Sequence, residues 1–98
     1  MVIVTGTIVG TDETIDELIE LALTHVRRSR AEPGCISHDV HRHVEEPLRL
    51  VFVERWADRA ALDVHFAVPE SGAMVTRAGE LAAERPTIQI YDVADRAG

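Results

Sequence analysis

The sequence lacks lysine and asparagine altogether, and it has one cysteine, one tryptophan, one tyrosine and two phenylalanines. A single cysteine excludes a disulfide within the chain. We therefore interpret Cys35 as a small, inert buried side chain and expect a cytoplasmic location. No apolar run approaches the roughly 20 residues that a membrane-spanning helix needs, and the residues after Met1 do not resemble a secretory signal.

Positive charge is also scarce in this chain. The formal net charge is −7, and all ten basic residues are arginines. Nucleic acids and anionic membrane surfaces are bound by concentrated positive faces. We therefore expect neither a nucleic acid nor a membrane as a partner.

The length allows one domain, which we place at residues 1–98. A domain of this size buries only about two-thirds of the surface that its unfolded chain exposes. Association with a second copy would increase that burial.

Four segments are rich in β-branched residues or alternate apolar with polar residues, which predicts strands over residues 2–9, 35–44, 48–56 and 87–93. The turn at residues 45–47 joins the second and third strands into a hairpin. In the third strand, one face carries Leu50, Phe52, Glu54 and Trp56. Because Val51 and Val53 make the other face apolar too, we expect both sides of the sheet to be covered.

The first helix is predicted over residues 12–31, because apolar residues recur there at helical spacing. Thr14 and Glu17 have the spacing of a capping box, with Thr11 and Asp12 as alternative caps. One buried stripe is expected from Ile15, Leu18, Ile19, Ala22 and Val26.

A second helix is expected to begin after Asp58, a good N-cap residue. Leu62 and Phe66 mark its inner face, and His65 lies on the same side. Pro69 interrupts the helix because it disfavours helical geometry at the preceding residue. Helical character then resumes over residues 71–84.

The order of these elements is βαββαβ. With right-handed crossovers it predicts an α+β, ferredoxin-like fold, in which a four-stranded antiparallel sheet carries both helices on one face. The opposite face would leave Val51 and Val53 in water, at a cost of about 25 cal/mol per Å² of apolar area. Two copies packed sheet to sheet would remove that cost, so we expect a homodimer.

Two residues in this plan suggest a small-molecule site. Trp56, with Phe52 and Glu54 on the same strand face, could line a pocket, although tryptophan also fills cores and interfaces. His65 faces inward and can exchange a proton near neutral pH, although a lone inward histidine is more often structural.

Other candidate sites have weaker support. Asp39, His41 and His43 alternate on one strand face at a spacing that suits a metal ion, but we interpret them as a solvated polar face. His25 and His38 are interpreted as structural or surface residues. No nucleophile elbow and no glycine-rich phosphate loop occurs, so we expect neither nucleophilic catalysis nor a doubly wound flavin or nicotinamide site. We predict no cofactor and no metal.

Three stretches together resemble the antibiotic biosynthesis monooxygenase family. They are Ala31-Glu32-Pro33-Gly34-Cys35, Val53-Glu54-Arg55-Trp56 and Ala60-Ala61-Leu62-Asp63-Val64-His65-Phe66. The resemblance covers nearly the whole chain, including the closing residues 90–93. It implies a dimeric α+β barrel made of two ferredoxin-like subunits.

The resemblance also implies an activity: cofactor-independent oxidation of a small phenol or hydroquinone to a quinone by molecular oxygen. His65 would accept or orient a proton, and Trp56 would act with it at the pocket. A small aromatic substrate would be bound by Phe52, Glu54, Leu62 and Phe66.

The resemblance is incomplete in one respect. Haem-degrading relatives use an asparagine, and this chain has none, so haem degradation ranks below quinone formation. The same architecture also serves isomerases that act by enolisation and ligand-binding dimers without activity, and both stay open as alternatives.

Overall fold

A computed structural model describes residues 1–94 of the chain, so the last four residues of the predicted domain lie outside the described part. Seven elements follow one another along the chain: β1 (Val2–Val9), α1 (Ile15–Ser29), β2 (Cys35–Arg42), β3 (Arg49–Trp56), α2 (Arg59–Ala67), α3 (Pro69–Leu81) and β4 (Thr87–Asp92).

The four strands form one sheet in the order β2-β3-β1-β4. All three neighbouring pairs are antiparallel, with Val4 opposite Glu54 in β3 and opposite Ile90 in β4. The two central strands are therefore the first and third in sequence. This arrangement confirms the predicted α+β, ferredoxin-like fold.

The core between sheet and helices divides into two clusters. The larger one joins Leu50 and Phe52 of β3 to the predicted stripe of α1 and to Met74 of α3. The smaller one joins Trp56 and Leu62 to Val2 and Val4 at the end of the sheet. Between these clusters the sheet carries polar side chains.

The start of α1 differs from the prediction. The helix begins three residues later than expected, and the hydroxyl of its N-cap residue Thr14 caps no helix N–H. Thr14 instead donates to the carbonyl of Leu81, 2.9 Å away. Oγ1 of Thr11 accepts from the backbone N–H groups of Glu13 and Thr14. The predicted capping box is therefore wrong, and the alternative cap Thr11 closes the turn before the helix.

Pro69 separates two helices, as predicted, but α3 begins at the proline itself. Val68 is extended (ψ 127°), and Pro69 takes the first helical position, where its missing N–H costs nothing. Asp58 caps α2 as expected, accepting from the N–H of Ala61 at 2.8 Å. The end of α3 at Leu81 precedes the predicted end by three residues.

The second strand is shorter and less regular than its sequence pattern suggests. A bulge between Cys35 and Ser37 breaks the alternation, so Ile36 is 55% exposed. The strand ends at Arg42, and Val44 lies in the turn, where it is 96% exposed. Ile36 and Val44 therefore do not share the buried face of His38, although simple alternation over residues 35–44 would place all three on one face.

The sheet face away from the helices is mixed in character. Val51 and Val53 are half-buried there, beside the outward-facing residues of β1 and β4.

No helix within residues 1–94 is long and apolar enough to cross a membrane.

Candidate active site

A cavity of about 350 Å³ lies between the inner face of the sheet and the helices. Strands β1, β3 and β4 form its floor, and α2 and α3 form most of its roof. Most of the lining is apolar. The charged and polar residues in the lining are Thr7, His25, Glu54, His65, Ser71, Arg85 and Thr87.

Four of the predicted site residues line this cavity: Phe52, Glu54, His65 and Phe66. The other two, Trp56 and Leu62, are fully buried behind its wall. The indole of Trp56 packs on the imidazole of His65, with ring centroids 4.6 Å apart. The two residues singled out in the sequence therefore meet, but only the imidazole borders the cavity.

Glu32 fixes the orientation of His65. Nδ1 of the imidazole lies 2.9 Å from Oε1 of Glu32. Since a carboxylate accepts, the ring proton is placed on Nδ1 and the lone pair on Nε2. Arg28 holds the other carboxylate oxygen of Glu32 at 2.9 Å. In its neutral form His65, which is only 2% exposed, therefore carries its lone pair on Nε2, at the edge of the ring away from Glu32.

Glu54 is a buried carboxylate on the inner face of β3. Burial alone would favour its neutral form, but His38 and the indole N–H of Trp56 hold the pKa of Glu54 below its ordinary value. The Trp56 Nε1–H donates to Oε1 of Glu54 at 3.0 Å. Nε2 of His65 lies 3.9 Å from the same oxygen. The site therefore contains a carboxylate anion beside an imidazole.

His25 completes the polar wall from α1. Its Nδ1 accepts from Nη2 of Arg28 at 3.0 Å, because a guanidinium can only donate. Burial, followed by the neighbouring His38, His65 and Arg28, lowers the pKa of His25 to about 4. His25 is therefore neutral at physiological pH, with its proton on Nε2.

His38 lies at the centre of this group with no exposed surface. Its Nε2 is 3.2 Å from Oε1 of Glu54. The direction of this contact is not that of a hydrogen bond, and within residues 1–94 neither ring nitrogen of His38 has a hydrogen-bond partner. Its ring makes edge contacts with Trp56 and His25.

Sequence reasoning missed the place of His25, His38 and Glu32 in this site. On β2, His38 lies two residues before the inward-facing Val40 and therefore on the same face. On α1, His25 continues the helical spacing of the buried residues Leu18 and Ala22. Both positions were therefore recognisable as inward-facing. For Glu32, which lies in the loop after α1, no periodic signal exists.

The alternating polar residues of β2 do not gather into a site. Asp39 pairs with Arg30 at 3.0 Å on the outer face, and His41 is exposed beside it. His43 accepts from the backbone N–H groups of Glu45 and Glu46 in the turn. These contacts agree with the prediction of a solvated polar face.

Comparison with known proteins gives consistent matches over this fold. A model of the antibiotic biosynthesis monooxygenase family matches residues 1–77. Protein sll1783 of Synechocystis sp. is 36% identical over 94 residues, which are 96% of this chain and 64% of that protein. The chain thus spans less than two-thirds of that relative's length.

Solved structures match over almost the whole chain. Rv0793 from Mycobacterium tuberculosis has a TM-score of 0.89 and 27% identity, covering 99% of this chain and 98% of that one. A crystal structure described as an antibiotic biosynthesis monooxygenase has a TM-score of 0.88 and 29% identity, covering 97% and 100%.

Proposed function

Because this chain belongs to the antibiotic biosynthesis monooxygenase family, we propose that it is a cofactor-independent monooxygenase. Its substrate is a small phenol or hydroquinone, which molecular oxygen oxidises to a quinone. The observation that carries the proposal is the Glu32–His65 pair at the wall of a largely apolar cavity. A base oriented by a carboxylate, next to space for an aromatic molecule, suits proton abstraction from a phenol.

The reaction begins when Nε2 of His65 takes the hydroxyl proton. The electron-rich anion then reduces oxygen and combines with it at a ring carbon as a hydroperoxide. The imidazolium of His65 returns its proton to the peroxide. The O–O bond then breaks while the hydrogen on the same ring carbon is lost, which releases water and leaves the quinone. One oxygen atom enters the product and the other becomes water, so a phenol and O₂ give a quinone and H₂O, and a hydroquinone and O₂ give a hydroxyquinone and H₂O.

The residues around His65 support this proton transfer. The carboxylates of Glu32 and Glu54 lie 2.9 Å and 3.9 Å from its two nitrogens, and both stabilise the imidazolium that forms. The indole of Trp56 packs on the imidazole of His65, and its N–H donates to the carboxylate of Glu54. His25 offers its Nε2–H as a donor to a substrate oxygen.

The size and lining of the cavity favour a small aromatic substrate. Its volume of about 350 Å³ lies at the lower end of ordinary ligand sites. Phe52 and Phe66 provide aromatic surface in the wall, and Leu62 supports it from behind. A ring held there has its hydroxyl close to the polar end at His65.

The proposal includes a second copy of the chain on the outer face of the sheet. Val51 and Val53 lie on that face, opposite Thr7 and Thr5 of β1. Packing two such faces together would bury this half-apolar surface and close the assembly into an α+β barrel. The cavity lies on the opposite side of each sheet, so each copy keeps its own polar cluster.

The test is oxygen consumption with anthrone and a panel of hydroquinones, measured with an electrode while quinone absorbance is followed. The protein is treated with EDTA, and the rate without enzyme is subtracted. We expect one O₂ per quinone and no product under anaerobic conditions. His65→Gln should lower the rate about 10²- to 10⁴-fold, the usual contribution of a general base.

His43→Gln is the matched control, since it makes the same exchange at a histidine in the turn after β2, outside both the cavity and the outer sheet face. Its rate should equal that of the unaltered protein. Trp56→Phe keeps a ring on His65 but removes the bond to Glu54, so a smaller loss is expected. Equal activity of His65→Gln and the unaltered protein would refute the proton-transfer role. Turnover that needs no oxygen would point instead to an isomerase.

A further inference from the structure

Three of the five histidines of the chain converge at one point inside the protein. His25, His38 and His65 are 8%, 0% and 2% exposed, and their ring centroids are 5.1 to 5.5 Å apart. One nitrogen from each ring lies within 4.8 Å of the other two. We call these residues the histidine cluster. The proposed proton transfer uses the lone pair of only one of them.

His38 is the member that the proposed oxidation leaves unexplained. Its two ring nitrogens are fully buried without a hydrogen-bond partner among the described residues. A buried polar group without a hydrogen-bond partner requires an explanation. A bound ion that supplies the missing contact is one such explanation. Imidazole nitrogen is the commonest ligand that proteins offer to Zn²⁺ and similar ions.

Glu54 adds a carboxylate at the spacing that metal ligands have. Its Oε1 is 3.2 Å from Nε2 of His38 and 3.9 Å from Nε2 of His65. Zinc–ligand bonds of about 2.0–2.1 Å place tetrahedral ligand atoms about 3.3 Å apart. Small side-chain rotations would therefore bring these three atoms onto one ion. Within residues 1–94 the only cationic partners of Glu54 are histidines.

The surroundings resemble those of metal-binding histidines in general. Such a histidine commonly donates its second N–H to a carboxylate, which fixes the ring and raises its basicity. Glu32 accepts from Nδ1 of His65 in this way. The cavity beside Glu54 and His65 leaves room for a water molecule or ligand at a remaining coordination position.

From this arrangement we propose that His38, His65 and Glu54 form a binding site for a divalent transition-metal ion such as Zn²⁺. His25 lies beside the site, but its Nδ1 is bound to Arg28, so it serves as a fourth ligand only after release. The metal would use the same lone pair of His65 that accepts the substrate proton. Binding therefore inhibits the proposed oxidation, and the protein responds to both substrate and metal.

The experiment uses the untagged protein, stripped of metal with EDTA and then dialysed free of it. Titration with Co²⁺ is followed by the visible d–d absorption of the ion and by calorimetry. We expect one Co²⁺ per chain, displacement of Co²⁺ by Zn²⁺, and a higher melting temperature with Zn²⁺. Substrate is absent, so the result is independent of any oxygenase activity.

His38→Gln is the informative variant, because the ring of His38 has no hydrogen-bond partner among residues 1–94 that the change would remove. It should fold and lose at least about tenfold in Co²⁺ affinity, as expected when a ligand is removed. Glu54→Gln should behave in the same way. His41→Ala, an exposed histidine on the same strand, should bind Co²⁺ as the unaltered protein does.

Unchanged Co²⁺ binding in both His38→Gln and Glu54→Gln would overturn the proposal, as would the absence of binding to the unaltered protein. If His38→Gln does not fold, the Glu54→Gln titration alone decides. Metal binding without oxygen consumption would support this site and refute the proposed oxidation. Oxygen consumption that Zn²⁺ does not inhibit would refute the shared use of His65.

Discussion

In the folded protein His25 is a neutral imidazole, and this lowers the stability of the protein at acidic pH. Burial and the neighbouring His38 lower its pKa from the ordinary 6.5 to about 4. Between these two values the unfolded chain binds a proton at this position and the folded protein does not. The stability that neutral His25 contributes is therefore complete above about pH 6.5 and is lost as the pH falls toward 4.

We predict that the free energy of unfolding falls by roughly 3 kcal/mol from His25 alone between pH 7 and pH 4. The pKa of Glu54 is also lowered, which adds a further loss below its ordinary 4.5. Urea unfolding at pH 7, 6, 5 and 4 in the presence of EDTA measures the slope. In His25→Gln the decline between pH 6.5 and 4 should be smaller, and an identical slope would contradict this account.

Cys35 is half-buried near the same group of charges. Burial, followed by the carboxylates of Glu32 and Glu54, raises the pKa of its thiol. The thiolate is the reactive form of cysteine. This agrees with the interpretation of Cys35 as an inert side chain rather than a nucleophile.

The expected outcome is slow alkylation of Cys35. At pH 8 iodoacetamide should modify the native protein more slowly than it modifies a short cysteine peptide, and the rate should rise on going to higher pH. Mass spectrometry over time measures both rates. In Glu32→Gln one of the neighbouring carboxylates is lost, so the thiol should react faster; a slower reaction would exclude the electrostatic explanation.

At the scale of the elements, the junction between α1 and β2 depends on Gly34. Its φ of +81° lies in the region that favours glycine. A Cβ placed there would lie 2.5 Å from the Cβ of Ala61 in α2. The close approach of this turn to α2 places Glu32, just before it, within reach of His65.

Gly34→Ala should therefore destabilise the protein by about 2–4 kcal/mol, through left-handed backbone strain and overpacking together. Gly72→Ala is the matched control, because Gly72 lies in α3 with nothing within 4 Å of its Cβ position. The Gly72→Ala change should stabilise the folded protein by about 0.5–1 kcal/mol. Thermal unfolding compares the two, and equal effects would show that the turn geometry is unimportant.

At the scale of the whole molecule, we predict that the outer sheet face forms the interface of the proposed dimer. The outward-facing apolar side chains on it include Ile3, Val9, Val51, Val53 and Tyr91. Val51 lies opposite Thr7 in β1 and His41 in β2, so an arginine there meets no carboxylate across the strands. A face of this kind is stabilised when a second copy covers it.

Val51→Arg should convert the predicted dimer to a monomer, measured by light scattering coupled to size-exclusion chromatography. Burying an unpaired charge costs several kcal/mol, so the dissociation constant should rise at least about 100-fold. Val44→Arg makes the same exchange at a turn position that is 96% exposed, and it should stay dimeric. A monomeric unaltered protein would contradict the dimer altogether.

The sequence by itself determined the order of elements, the fold and the inward faces of α1, α2 and β3. Helical spacing in α1 and alternation in β3 depend on neighbours in the chain, so they can be read locally. This local information also placed His65 and Glu54 on inward faces. The errors at Thr14, Ile36 and Val44 fall at element ends and at a bulge, where tertiary contacts outweigh local pattern.

Only the tertiary structure decided which inward-facing residues meet. His25, His38 and His65 come from three different elements, and Glu32 comes from a loop. The turn at Gly34 and the packing of α1 and α2 on the sheet bring Glu32 within hydrogen-bond distance of His65. They also bring one nitrogen of each histidine within 4.8 Å of the other two. Such convergence depends on separations of tens of residues along the chain, which no local periodicity encodes, so the polar site became visible only in three dimensions.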